Sequence, residues 1–91
     1  MNIADWRVEI DEIEDKLIAL LNRRAECAVE IGALKRKAGL PIYDQKREEE
    51  ILDRVVEKNK GPLPDHRLRK IFEELIVQTR TFEDEANHEE A

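Results

Sequence analysis

Two basic residues, Arg24 and Lys35, stand in or beside an apolar stripe in the first third of the sequence. The other members of the stripe, spaced three and four positions apart, are Trp6, Ile10, Ile13, Leu17, Leu20, Cys27, Ile31 and Leu34. Such spacing is typical of the face by which one long helix packs on another, so a guanidinium at position 24 needs an anionic partner. Lys35 follows by about three helical turns, which places both cations on one side, roughly 16 Å apart along the axis. Their long side chains predict a pocket for a small carboxylate-bearing ligand.

A simpler interpretation pairs Arg24 with a carboxylate of the same fold, and Glu48 and Glu83 are the candidates. Lys35 could equally lie at the edge of the stripe with its ammonium in solvent. Cys27 fits the stripe as a small hydrophobic residue.

The helix that carries these cations is expected to begin at residues 3–5 and to end near Lys37, because Gly39 and Pro41 follow. A helix of that length measures about 50 Å. A compact chain of this size would be only about 30 Å across, so the helix must overhang a single-chain core. The stripe is apolar along most of its length, which predicts that a second copy covers it. We therefore expect an intertwined homodimer.

Two shorter helices complete the predicted all-α fold of three helices per chain. The second should be capped by Asp44 and interrupted at residues 59–64, and the third should be capped by Asp65. Their apolar stripes are formed by Ile51, Leu52 and Val55 and by Leu68, Ile71, Phe72, Leu75 and Ile76. Residues 1–91 should form one domain, with residues 85–91 as a frayed tail.

Polar side chains interrupt the apolar stripe of each predicted helix. They are Arg24 and Lys35 on the first, Glu48 on the second, and Thr79 and Glu83 on the third. One polar pocket shared by the three helices explains all of these interruptions.

Composition excludes several classes of function. A net charge of −6 and four aromatic residues argue against nucleic-acid binding. A single cysteine permits no internal disulfide, and no cysteine or histidine pair has metal-ligand spacing, so neither a metal nor a cofactor is expected. The sequence has neither a signal peptide pattern nor an apolar run of about 20 residues. These features predict a cytoplasmic protein without a membrane partner.

Read in order, the polar positions resemble those of the all-helical chorismate mutases. The residues that carry the resemblance are 7–11, Ile13, Leu17, 20–24, Ala28, Ile31, Gly32, Lys35, Pro41, Ile42, Asp44, Arg47, Glu48, Ile51, Leu52, 59–63, Ile71, Phe72 and Ile76. They cover residues 6 to about 83. The resemblance implies an enzyme of aromatic amino acid biosynthesis, in the shikimate pathway, that converts chorismate to prephenate without a cofactor.

The resemblance also implies roles for individual residues. Arg24 would bind one substrate carboxylate, and Lys35 would bind the other carboxylate and the ether oxygen. Arg47 would lie near the same carboxylates, Glu48 would bind the ring hydroxyl, and the backbone of Asp44 would donate to the ligand.

Three further positions follow from the family pattern. Arg7 would come from the other chain, in accord with its separation of about 25 Å from Arg24 on one helix. Thr79 stands where serine is common and could keep the hydroxyl contact. Glu83 stands where many members have a glutamine that donates to the ether oxygen. A carboxyl donates only when protonated, so activity should favour acidic pH and Glu83→Gln should flatten the pH profile.

Two alternatives remain. An isochorismate pyruvate lyase resembles the mutases and uses similar cations, although the complete set of polar residues favours the mutase. A helical dimer without catalysis, which binds an aromatic-pathway metabolite or a partner enzyme, is the other. The short length argues against a fused dehydratase or dehydrogenase domain.

Overall fold

The computed structural model describes residues 1–88, which form three α-helices and no strand. They are α1 (Ile3–Lys37), α2 (Gln45–Lys58) and α3 (Asp65–His88). The predicted all-α class and the three-helix order are confirmed. Within these residues, no helix is long and apolar enough to cross a membrane.

Helix α1 has well-defined signals at both ends. Asn2 and Asp5 form a capping box, in which each side chain accepts a hydrogen bond from the other residue's backbone N–H, at 3.0 and 3.1 Å. At the other end Gly39 has a φ of 71°, a left-handed conformation that favours glycine and ends the helix. The 35 residues between these signals should span about 52 Å.

The length of α1 dominates the shape of the chain. The principal extents are 54 × 26 × 15 Å, and the Cα radius of gyration is 16.2 Å. A compact chain of this size would have a radius of gyration of about 12 Å. The predicted overhang of the first helix is therefore present. Its apolar stripe is exposed in the single chain, and Trp6, for example, keeps 54% of its surface accessible.

The buried core lies between α2 and α3. Ile51 and Val55 of α2 pack with Ile76 of α3, and Leu52, Leu68 and Phe72 pack around them. Helix α1 contacts α3, whereas α1 and α2 do not pack on each other within residues 1–88. Helix α3 is thus the element that holds the other two in place.

The last turns of α3 are fixed to α1. Gly32 is buried, and the side chain of Asn87 lies against it. The Asn87 amide donates to the carbonyls of Val29 at 3.4 Å and Glu83 at 3.0 Å, and Arg36 donates to the Asn87 carbonyl. The expectation of a frayed tail from residue 85 is wrong for residues 85–88, which are helical because of these contacts. Residues 89–91 lie outside the described part of the chain.

The starts of the shorter helices differ from each other. Asp44 caps α2 as predicted, by accepting from the Arg47 backbone N–H at 3.1 Å. Asp65 is not a cap: it is the first residue of α3, and its carboxylate accepts from the Asn59 amide at 2.8 Å. The Asn59 amide also donates to the Leu63 carbonyl at 2.8 Å, so this side chain orders the connection between α2 and α3.

Candidate active site

All three helices and the connection before α2 line one cavity of about 270 Å³. The lining residues are Arg24, Cys27, Ala28, Ile31, Lys35, Ile42, Asp44, Arg47, Glu48, Ile51, Ile76, Thr79, Arg80 and Glu83. Every predicted site residue except Arg7 is among them. The polar interruptions of the three apolar stripes do therefore meet in one pocket, which is large enough for a small carboxylic acid.

Arg24 is half-buried and is held by α3. Its Nη1 donates to Thr79 Oγ1 at 2.9 Å, and that hydroxyl donates to the Leu75 carbonyl at 2.7 Å. Burial lowers the pKa of Arg24, and repulsion by Arg47 and Arg54 lowers it further. Among residues 1–88, neither Glu48 nor Glu83 forms an ion pair with Arg24. Arg24 therefore faces the cavity without a direct ion-pair partner among these residues.

Lys35 enters the same cavity from the end of α1. Its ammonium donates to the Ile42 carbonyl at 2.9 Å, which ties the connection before α2 to α1. Arg24 and Lys35 thus line the same cavity, and their role in ligand binding stays a prediction.

Glu83 is the most buried of the charged residues at the cavity, with 6% of its surface accessible. Burial raises the pKa of its carboxyl, Lys35 opposes this rise, and Asp84 adds to it. Desolvation outweighs the attraction of Lys35, so the protonated form gains relative to an exposed glutamate.

Arg47 and Glu48 occupy the first turn of α2, and both line the cavity. Arg47 is exposed, and its Nη1 lies 3.7 Å from Glu50 Oε2, which makes a weak surface ion pair. Glu48 points instead to α3, where Arg80 Nη1 lies 2.8 and 2.7 Å from its two carboxylate oxygens.

Arg80 is the site residue that sequence reasoning missed. Its guanidinium also stacks over the Tyr43 ring, 4.8 Å from the ring centroid. The position carried a signal, because Arg80 follows Ile76 by four residues and so continues the buried face of α3. It interrupts that stripe in the same way as Thr79 and Glu83.

Arg7 lies elsewhere. It is exposed on the first half of α1 and does not line the cavity. It precedes Arg24 by roughly 25 Å along the same helix, so a single chain cannot bring both to one small ligand.

The cavity can bind and polarise a small anion. It brings together four cations, Arg24, Lys35, Arg47 and Arg80, and three carboxyl groups. Arginine suits a planar carboxylate, and lysine acts as a point charge. In residues 1–88 no group of histidine, cysteine, aspartate and glutamate could hold a metal ion. The fold and the cavity together define an all-helical protein with one cavity that is lined by basic residues and carboxyl groups.

The chain belongs to the chorismate mutase type II family, whose model matches residues 6–84. It is 40% identical over 85 residues to the bifunctional chorismate mutase/prephenate dehydratase of Aquifex aeolicus, an alignment that covers 89% of this chain and 24% of the relative. The chain thus spans about a quarter of that relative's length.

Two solved structures share the fold. Chorismate mutase (form II) from Thermus thermophilus is 39% identical, with a TM-score of 0.88 over 90% of this chain and 93% of that chain. Chorismate mutase from Helicobacter pylori, solved in complex with prephenate, is 33% identical, with a TM-score of 0.87 over 96% of this chain and 94% of that chain. The family resemblance of the sequence is confirmed.

Proposed function

We propose that this chain is a chorismate mutase that rearranges chorismate to prephenate in aromatic amino acid biosynthesis. The observation that carries the proposal is the convergence of Arg24, Lys35 and Arg47 on one small cavity. Chorismate is a small dicarboxylate, and the structurally similar Helicobacter pylori enzyme was solved with prephenate. Family membership over residues 6–84 supports the same conclusion.

Each polar group has a role in this proposal. Arg24 binds one carboxylate through its planar fork, while Lys35 binds the other carboxylate and the ether oxygen. Arg47 closes over the carboxylates from the exposed side, and Glu48 accepts from the ring hydroxyl. The backbone at Asp44 donates to the ligand.

Glu83 and Thr79 act from α3. Protonated Glu83 donates to the ether oxygen, and the raised pKa of its buried carboxyl supports this assignment. The Thr79 hydroxyl keeps Arg24 in place, as the hydrogen bond that its oxygen accepts from Arg24 Nη1 indicates.

The reaction is concerted, so these residues neither attack the substrate nor form a covalent intermediate. They fix the substrate in a chair-like conformation and stabilise the negative charge that develops on the ether oxygen as its bond to carbon breaks. The groups are already oriented by contacts within the fold, such as the 2.9 Å bond from Lys35 to the Ile42 carbonyl. Preorganised charges of this kind are worth about 10²- to 10³-fold in rate each.

The proposed active form is a cytoplasmic homodimer. The exposed apolar residues along the first half of α1 are Ile3, Trp6, Val8, Ile10, Ile13, Leu17, Ile18 and Leu20. A second copy would cover this surface and bring its own Arg7 to the cavity. Light scattering should therefore give twice the mass of one chain, and Arg7→Ala should reduce turnover in a dimer of normal mass.

The first experiment follows the loss of chorismate absorbance and identifies the product between pH 5 and 8. Prephenate formation supports the proposal, and Arg24→Ala should reduce kcat/KM by at least about 100-fold. Arg69→Ala is the matched control, because Arg69 pairs on the surface of α3 with Glu73 at 3.4 Å and lies away from the cavity. A folded chain that leaves chorismate unchanged and binds no prephenate would refute the proposal. Release of pyruvate from isochorismate, but no prephenate from chorismate, would assign the lyase activity instead.

A further inference from the structure

We propose that Arg80 is a positioning residue that orients Glu48 and offsets its charge, so that Glu48 can accept the ligand's hydroxyl beside a dianion. The proposal rests on the proposed function and extends it to a residue outside the predicted set. Three elements meet at this point: Glu48 from α2, Arg80 from α3, and Tyr43 from the connection before α2.

The geometry fixes the Glu48 carboxylate. One guanidinium nitrogen of Arg80 lies 2.8 and 2.7 Å from the two oxygens, which prevents the carboxylate from rotating freely. Each oxygen keeps a further lone pair, so the group can still accept a hydrogen bond from a ligand. Both side chains are half-buried, with 32% and 22% of their surfaces accessible, so the pair is screened less than a surface ion pair.

Arg80 is itself held in place. Its guanidinium lies over the Tyr43 ring, 4.8 Å from the centroid, and a cation in that position is attracted by the ring. Tyr43 follows Ile42, whose carbonyl accepts from Lys35. Tyr43, which holds Arg80, and Ile42, which holds Lys35, are therefore neighbours in the connection before α2.

Charge explains why Glu48 needs this partner. Without Arg80, the cavity would contain equal numbers of carboxyl groups and cations. The carboxyl groups are Asp44, Glu48 and Glu83, and the cations are Arg24, Lys35 and Arg47. Such a balance gives a dianion little net attraction when all three carboxyl groups are ionised. Arg80 cancels the charge of Glu48 and leaves an excess of positive charge for the ligand.

The pair can be tested without turnover, by NMR of the arginine side chains. The signals of Arg80 are identified by their loss in Arg80→Met. We expect slow rotation about the guanidinium Cζ–Nη bonds of Arg80 in the unmodified chain and fast rotation in Glu48→Gln. Fast rotation in the unmodified chain would show that Arg80 does not hold Glu48, and it would overturn the proposal whether or not the chain converts chorismate.

A double-mutant cycle tests the role in binding and catalysis. Arg80→Met should lower kcat/KM about 10- to 100-fold in the unmodified background, because Glu48 then loses its orientation. In the Glu48→Gln background, Arg80→Met should lower kcat/KM less than about threefold, because the carboxylate that Arg80 orients is absent. Arg80→Lys should recover part of the loss, and Arg69→Met, which removes a surface arginine of α3, should change neither kcat nor KM.

The outcomes separate the two proposals. Equal losses in both backgrounds, or no loss in either, would overturn the positioning role of Arg80 while the mutase activity of the unmodified chain stands. If the unmodified chain does not convert chorismate, the proposed function fails. In that case the same double-mutant cycle is carried out with prephenate affinity, measured by calorimetry, as the readout. Coupling between Arg80→Met and Glu48→Gln in that affinity supports the positioning role, and its absence overturns it.

Discussion

Gly32→Ala should destabilise the protein at the crossing of α1 and α3. A Cβ atom at position 32 would lie 2.3 Å from Asn87 Nδ2 and 2.8 Å from Glu83 Cγ. Neither neighbour can move freely, because both are buried and the Asn87 amide donates to the Val29 and Glu83 carbonyls. The two helices must separate, or Asn87 must give up its hydrogen bonds.

The size of the effect follows from three contributions. Overpacking a tight contact costs about 1–3 kcal/mol, and loss of the Asn87 hydrogen bonds adds about 1 kcal/mol. The higher helix propensity of alanine relative to glycine stabilises the helix by about 1 kcal/mol and partly offsets these losses. The free energy of unfolding should therefore fall by about 1–3 kcal/mol, equivalent to a decrease of roughly 5–20 °C in Tm for a domain of this size.

Circular dichroism melting of Gly32→Ala, Asn87→Ala and the double variant measures the effect. The double variant should be less destabilised than the sum of the single variants, because Asn87→Ala removes the closest contact of the new methyl group. A Gly32→Ala protein that melts at the same or a higher temperature than the unmodified chain would show that helix propensity dominates. The close approach of α1 and α3 would then be refuted.

Three further substitutions test the charged site and the exposed stripe. Glu83→Gln should raise the free energy of unfolding at pH 7–8 but not at pH 4 in denaturant titrations. Burial raises the pKa of Glu83, Lys35 opposes this rise and Asp84 adds to it. Protonated Glu83 therefore contributes its full stability to the fold below the ordinary glutamate pKa of about 4.3, and this contribution is lost as pH rises through the raised pKa. The same substitution should flatten the acidic preference of kcat, whereas a pH profile already flat in the unmodified chain would exclude Glu83 as the donor. Arg24→Met should abolish most turnover without lowering Tm, since burial disfavours the charged form of Arg24; a large decrease in Tm would contradict this. Leu17→Glu should shift the mass in light scattering from dimer to monomer, and an unchanged mass would place the interface elsewhere.

The helices were predictable because their signals are local. Spacings of three and four defined the buried faces, and Asp44, Gly39 and residues 59–64 marked the boundaries. The pocket was predictable for the same reason, since a polar residue within an apolar stripe points in the same direction as its neighbours.

Contacts between distant segments were harder to predict from the sequence. The partner of Glu48 depends on how α2 and α3 are rotated against each other, and Arg80 is 32 positions away. Asn87 was placed in a frayed tail because its neighbours are polar. Its order comes from Gly32, whose missing side chain leaves room for the amide at the helix crossing. The expected role of Arg7 depends on a second chain and stays a prediction.

The cavity separates α1 from α2, which do not pack on each other within residues 1–88 and are each packed on α3. A bound dianion would bridge these two helices from Arg24 and Lys35 to Arg47, in addition to the hydrogen bond from Lys35 to the Ile42 carbonyl. Ligand binding and folding are then linked by mass action, and a ligand at 100 times its Kd adds about 2.7 kcal/mol to the free energy of unfolding. The filled protein should therefore resist heat and proteases better than the empty one, so that a supply of ligand would slow its degradation.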